Sequence, residues 1–91
     1  MATLKVILPQ FLSHLVNERK EIDVAADTMK ELQDFFQASY SAFSEKIWDV
    51  EGRVKRNVLF VLNDELINMD SPCIEFDSGD ELSIILQFAG G

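Results

Sequence analysis

The last four residues, Phe88-Ala89-Gly90-Gly91, place a diglycine carboxylate directly after the apolar run Leu82-Ser83-Ile84-Ile85-Leu86-Gln87. An α-carboxylate has a pKa of about 3.5 and is fully ionised at neutral pH. It can attack the α-phosphorus of a nucleoside triphosphate, and the resulting mixed anhydride is a strong acyl donor. Such chemistry needs a water-poor site, which a tail reaches only by threading. Gly90 and Gly91 suit threading because neither carries a Cβ to restrict φ/ψ or close approach. Two glycines in succession arise by chance roughly once in 200 chain ends. The bland alternative is a frayed or truncated end; a third reading has residues after Gly91 removed by processing.

Other reactive side chains are sparse. Cys73, in Ser71-Pro72-Cys73-Ile74-Glu75, has no basic neighbour to stabilise a thiolate and reads as a small buried hydrophobe. His14 has no ligand-spaced partners, which argues against a metal site. Asp64-Glu65 and Asp80-Glu81 are adjacent acids at turns, where carboxylates usually bind backbone amides. Arg53, Lys55 and Arg56 form a basic cluster that reads as a solvated loop or, more sharply, a secondary docking contact. No glycine-rich phosphate loop is present.

The elements that must position the tail follow from periodicity. Thr3 to Leu8 alternates with Leu4, Val6 and Leu8 on one face, and Pro9 closes it. A mixed loop of ten residues leads to a second alternating strand, Lys20 to Val24, completing a hairpin. Thr28-Met29-Lys30-Glu31 has the spacing of a capping box. Leu32, Phe35, Phe36 and Tyr40 follow on one helical face, and Ser41 is expected to cap a further short turn through Phe43 and Ile47. Asp49 to Arg56 is a polar loop, Val58 to Leu62 a strand, Asn63-Asp64-Glu65 a turn and Leu66-Ile67 a short edge strand. Asp77-Ser78-Gly79-Asp80 turns into the final strand, Glu81 to Phe88.

The order ββαββ implies an α+β arrangement, with one main helix on one face of a mixed four- to five-stranded sheet. The two most apolar strands, around Val58 and at the C-terminus, are expected away from the edges. Leu82, Ile84 and Leu86 then lie under the helix. Leu59, Val61 and Ile85 form an apolar patch on the opposite face, near the tail. That patch either docks a partner or packs beneath Phe11, Leu12 and Leu15 of the N-terminal loop.

Ninety-one residues make one domain, 1–91, with a flexible tail at 88–91. A net charge of −8 argues against nucleic-acid or anionic-membrane partners and favours a basic docking surface. A single cysteine, no signal peptide and no long apolar span suggest a cytoplasmic protein.

The Asn63-Asp64-Glu65 turn, the Ser78-Gly79-Asp80 turn and the Ala89-Gly90-Gly91 end resemble the β-grasp, ubiquitin-like sulfur carriers of the MoaD, ThiS and CysO family, over nearly the whole chain. Tyr40 to Lys46 and the loop before Arg56 look most like the CysO branch; Leu86 departs from the proline that many relatives carry. The resemblance implies that Gly91 is adenylated by an E1-like (MoeB/ThiF-type) adenylyltransferase, with Gly90, Ala89 and Phe88 threading into its site. ATP, with magnesium, belongs to that enzyme, and the chain itself is a substrate without a cofactor. A rhodanese, a cysteine desulfurase or sulfide then supplies sulfur for a thiocarboxylate. A biosynthetic enzyme of cysteine or another thio-metabolite accepts it, and a JAMM-type metalloprotease is a further partner of this class. Two alternatives share the tail: a ubiquitin-like modifier joined through Gly91 to lysines, and the small subunit of a molybdopterin synthase.

Overall fold

The computed structural model describes residues 2–67 and 74–87. Five strands form one sheet: β1 (Thr3–Ile7), β2 (Glu21–Ala25), β3 (Val58–Leu62), β4 (Glu65–Ile67) and β5 (Glu81–Leu86). Their spatial order is β2-β1-β5-β3-β4. β5 lies in the middle, parallel to β1 and antiparallel to β3, with Leu59 opposite Ile85 and Ile7 opposite Ser83. The two apolar runs are thus both away from the edges, as their composition requires.

Alternation decides which face is buried. Leu4, Val6, Ile22, Val24, Val58, Phe60, Leu82 and Ile84 point inward and are nearly inaccessible, with Leu86 half-buried beside them. Two α-helices cover this face, α1 (Met29–Ser39) and α2 (Ser41–Ile47). Leu32 and Phe36 of α1 and Phe43 and Ile47 of α2 are completely buried. Phe36 is the hub. Its ring centroid lies 4.9 Å from Phe43, 5.3 Å from Phe35 and 6.1 Å from Trp48, and Trp48 in turn lies 6.2 Å from Phe60 of the sheet. These offset and edge contacts add to the burial of large apolar surfaces.

The start of α1 shows the capping chemistry directly. Thr28 is extended and its hydroxyl accepts from Glu31 N at 3.2 Å. The Glu31 carboxylate reaches one residue further back than a standard box, accepting from Asp27 N at 2.8 Å. Asp27 Oδ1 in turn accepts from Ala2 N at 2.6 Å, so the helix start is tied to the strand that begins the sheet.

Two expectations are corrected. The stretch after Pro9 is a 3-10 helix (Gln10–Val16) rather than a loop, because Leu12 and Val16 find burial in the main core. His14 lies on that helix and is exposed. Ser41 is the first residue of α2 rather than its cap: Tyr40 occupies the cap position at φ −142° and ends α1. The last strand stops at Leu86 among the described residues. Cys73 and residues 88–91 lie outside them.

Phe36→Ala should destabilise the domain by about 3–5 kcal/mol, the usual cost of emptying a core aromatic site. Val50→Ser, at a fully exposed position, should change stability by less than about 0.5 kcal/mol. Urea unfolding of both variants provides the measurement.

Candidate functional site

The tail residues Phe88, Ala89, Gly90 and Gly91 lie outside the described residues, so the site is built from what holds their root. Gln87 follows the central strand directly, and its backbone N–H donates to Asn57 O at 2.7 Å. Val58 pairs with Leu86 just beyond. The root of the tail is therefore clamped between β5 and the segment entering β3.

At the far end of β5 the sheet is held by a polar latch. Asn63 and Asp64 both take left-handed conformations, φ 50° and 69°, which Asn and Asp tolerate better than other non-glycine residues. Asn63 Oδ1 accepts from Glu81 N at 2.9 Å, while Asn63 Nδ2 donates to Asp80 Oδ1 at 2.9 Å. Asp80 Oδ2 also accepts from Asp77 N at 2.8 Å. Gly79, at φ 92°, donates its N–H to Thr3 O at 3.0 Å. The Asp80 carboxylate is thus engaged with the Asp77 backbone and with Asn63.

On the outer sheet face, Leu59 and Ile85 are directly opposed, and Val61 faces Ser83 on one side and Leu66 on the other. Ile85 is 42% and Leu66 65% exposed; Leu59 and Val61 are half-buried. The 3-10 helix does not cover this patch. It packs with α2 on the opposite face, where Leu12 joins the core and Leu15 lies against it. Reading strands singly missed Leu66 and Ile7, whose outward positions extend the patch. The register that brings them beside Val61 and Ser83 is a long-range pairing that periodicity alone does not carry.

The loop from Trp48 to Asn57 is ordered by one carboxylate. Asp49 Oδ1 accepts from Glu51 N at 2.8 Å and from Arg53 N at 3.0 Å, and Asp49 N donates back to Arg53 O at 2.8 Å. Trp48 and Val54 form an isolated bridge, and Gly52 turns the chain at φ 82°. The bond from Arg53 N holds the Asp49 carboxyl below its ordinary value; desolvation opposes it, and the Glu51 amide and the charges of Arg53 and Lys55 reinforce it. Beside this loop an open groove of about 870 Å³ is lined by Gln33, Gln37, Ser44, Trp48 and Lys55. Among the described residues no three His, Cys, Asp or Glu side chains converge as metal ligands, and no helix is long and apolar enough to cross a membrane.

The mixed five-stranded sheet with its helices on one face defines a β-grasp, ubiquitin-like domain. Among solved structures, Mycobacterium tuberculosis CysO superposes with a TM-score of 0.81 at 24% identity, over 93% of this chain and 99% of that one. CysO in the Amycolatopsis orientalis BexX/CysO complex gives a TM-score of 0.83 at 22% identity, over 97% and 99% of the two chains. SAMP1 of Haloferax volcanii, a small archaeal modifier protein, gives 0.79 at 17% identity, over 99% and 100%. At these identities the likeness is one of fold. No protein-family model matches the sequence, and no curated protein matches it.

Because the folded Asp49 carboxyl has the lower pKa, its contribution to the loop is complete above its unfolded pKa of about 3.9. It is lost as pH falls through the folded value. Hydrogen exchange at the Glu51 and Arg53 amides should accelerate, relative to other exposed loops, on acidification through that window. In Asp49→Asn the same amides should show no such step.

Proposed function

We propose that this chain is a sulfur carrier whose reacting group is the Gly91 carboxylate. In an E1-like partner a carboxylate oxygen attacks the α-phosphorus of ATP and pyrophosphate leaves. Sulfide, the simplest donor, then attacks the acyl carbon and displaces AMP, leaving a thiocarboxylate on the tail. That sulfur is passed to an acceptor enzyme of cysteine or another thio-metabolite. The chain contributes presentation; bond-making groups belong to the partner.

The observation that carries this reading is the placement of the tail root. The strand leading to it is the centre of a fold shared with CysO proteins, and Phe88-Ala89-Gly90-Gly91 follow Gln87 in the sequence. A rigid root with a slim end after it suits insertion into a deep site. Docking is assigned to the patch of Leu59, Val61 and Ile85 on the same strands, which none of the described helices covers. An apolar patch at the end of which a reactive tail emerges would align partner and tail in one step. One structural neighbour, CysO of Amycolatopsis orientalis, is itself part of a BexX complex.

A second reading follows from the likeness to SAMP1: a modifier joined through Gly91 to lysine side chains. Both readings use the same adenylate and divide afterwards, at sulfide or at an amine.

Incubation with ATP, sulfide and the source organism's E1-like adenylyltransferase should replace one terminal oxygen by sulfur, seen by intact mass spectrometry. Deletion of Gly91 should abolish this product while leaving the urea midpoint unchanged. A thiocarboxylate on the truncated chain, or lysine-linked adducts without any thiocarboxylate on the full one, would overturn the carrier reading. Ile85→Glu should raise KM for the carrier at least roughly tenfold, in keeping with loss of a central interface contact, with little change in kcat.

A further inference from the structure

The net charge of −8 is distributed unevenly along β5. At the start of the strand stand Asp64, Glu65, Asp77, Asp80 and Glu81, with no Lys or Arg in either turn. At its end, Arg53, Lys55 and Arg56 precede Asn57, the residue whose carbonyl accepts the hydrogen bond from Gln87. All three cations are exposed. Arg53 has a loose contact with Glu51, Nε to Oε2 at 3.8 Å. Lys55 and Arg56 form no ion pair among the described residues, whereas Lys5 and Lys30 are paired with Glu21 and Asp34.

Distance makes the two ends electrostatically separate. Six residue steps from Glu81 to Gln87 span about 20 Å, more than twice the Debye length of about 8 Å at physiological ionic strength. A surface approaching Gln87 therefore meets Arg53, Lys55 and Arg56 with Asp49 and Glu51 of the same loop, and not the acidic average of the chain. That group is net positive, and Arg56 and Lys55 in it lack an ion pair among the described residues. The backbone under them is fixed: Asp49 ties the loop, Lys55 N donates to Ile47 O at 2.9 Å, and the Gln87–Asn57 bond joins it to the tail root.

We propose that Lys55 and Arg56, backed by Arg53, form a cationic collar that docks on an acidic protein surface framing the channel into which the tail is inserted. This rests on the carrier reading above and adds a second contact to the apolar patch. Reach decides between a protein and a nucleotide as the collar's counterpart. Four residues beyond Gln87 extend at most about 14 Å, and the nucleotide must sit at the tip of that reach. The collar stays at the root, so it meets the channel mouth. The acidic turns at the other end of β5 would be repelled by the same mouth, so the pair of poles also sets the direction of entry.

The test is ATP–pyrophosphate exchange with the source organism's E1-like adenylyltransferase, with the chain as varied substrate at several KCl concentrations. Lys55→Glu with Arg56→Glu should raise KM roughly tenfold or more at low salt, with kcat unchanged and the difference shrinking as salt increases. Lys55→Gln with Arg56→Gln should fall between this and the wild type, and Asp64→Lys should not raise KM. Circular dichroism and urea midpoints check that each variant is folded. An unchanged or lowered KM in the charge-reversed chain overturns the collar, because a basic mouth, or a collar that held the tail's own carboxylate, would give that sign. If the wild-type chain supports no exchange at all, the carrier reading fails and the collar falls with it.

Discussion

The strand nearest the C-terminus is the middle strand of the sheet, and everything else is arranged around that pairing. β5 joins the β1–β2 hairpin to the β3–β4 hairpin, parallel on one side and antiparallel on the other. Neither hairpin alone has enough apolar surface to be independently stable; joined through Leu82 and Ile84 they present one face for α1 and α2. The constraint has a geometric result. Gln87, at the end of that strand, is thereby fixed to the most buried part of the molecule, through its bond to Asn57 and the pairing of Leu86 with Val58.

Local signals in the sequence are legible where the physics is local. The Thr28–Glu31 cap, the alternation in β1, β2 and β5 and the turn at Asp77 to Asp80 all stand where nearest-neighbour chemistry places them. The 3-10 helix is less legible, because Leu12, Leu15 and Val16 follow a proline without a polar cap and acquire their meaning only from the core they enter. The break between α1 and α2 is legible as a cap at Ser41, one residue from its actual place at Tyr40. Phe36, Tyr40, Phe43 and Ile47 continue one helical spacing, and the backbone geometry at Tyr40 fixes the residue at which it divides. The parallel pairing of β1 with β5 spans more than 70 residues of sequence and leaves no trace in periodicity.

The outer patch shows the same division. Leu59, Val61 and Ile85 could be assigned to one face from the alternation of two strands. Leu66 and Ile7 joined them only once the order of strands was known. Burial explains why none of the described helices lies on this face: the 3-10 helix and both α-helices are drawn to the aromatic side, where Phe36 and Trp48 offer far more surface to cover.

Trp48 is the single tryptophan of the chain, and its position couples optics to architecture. The indole is buried between Phe36 and Phe60 yet borders the groove beside the loop that carries Arg53, Lys55 and Arg56. One intrinsic fluorophore thus watches both the packing of helices on sheet and the groove that Lys55 helps to line. Its emission offers a label-free signal in which unfolding, through solvent exposure of the ring, and occupation of the loop, through a change beside it, are separable by wavelength and intensity.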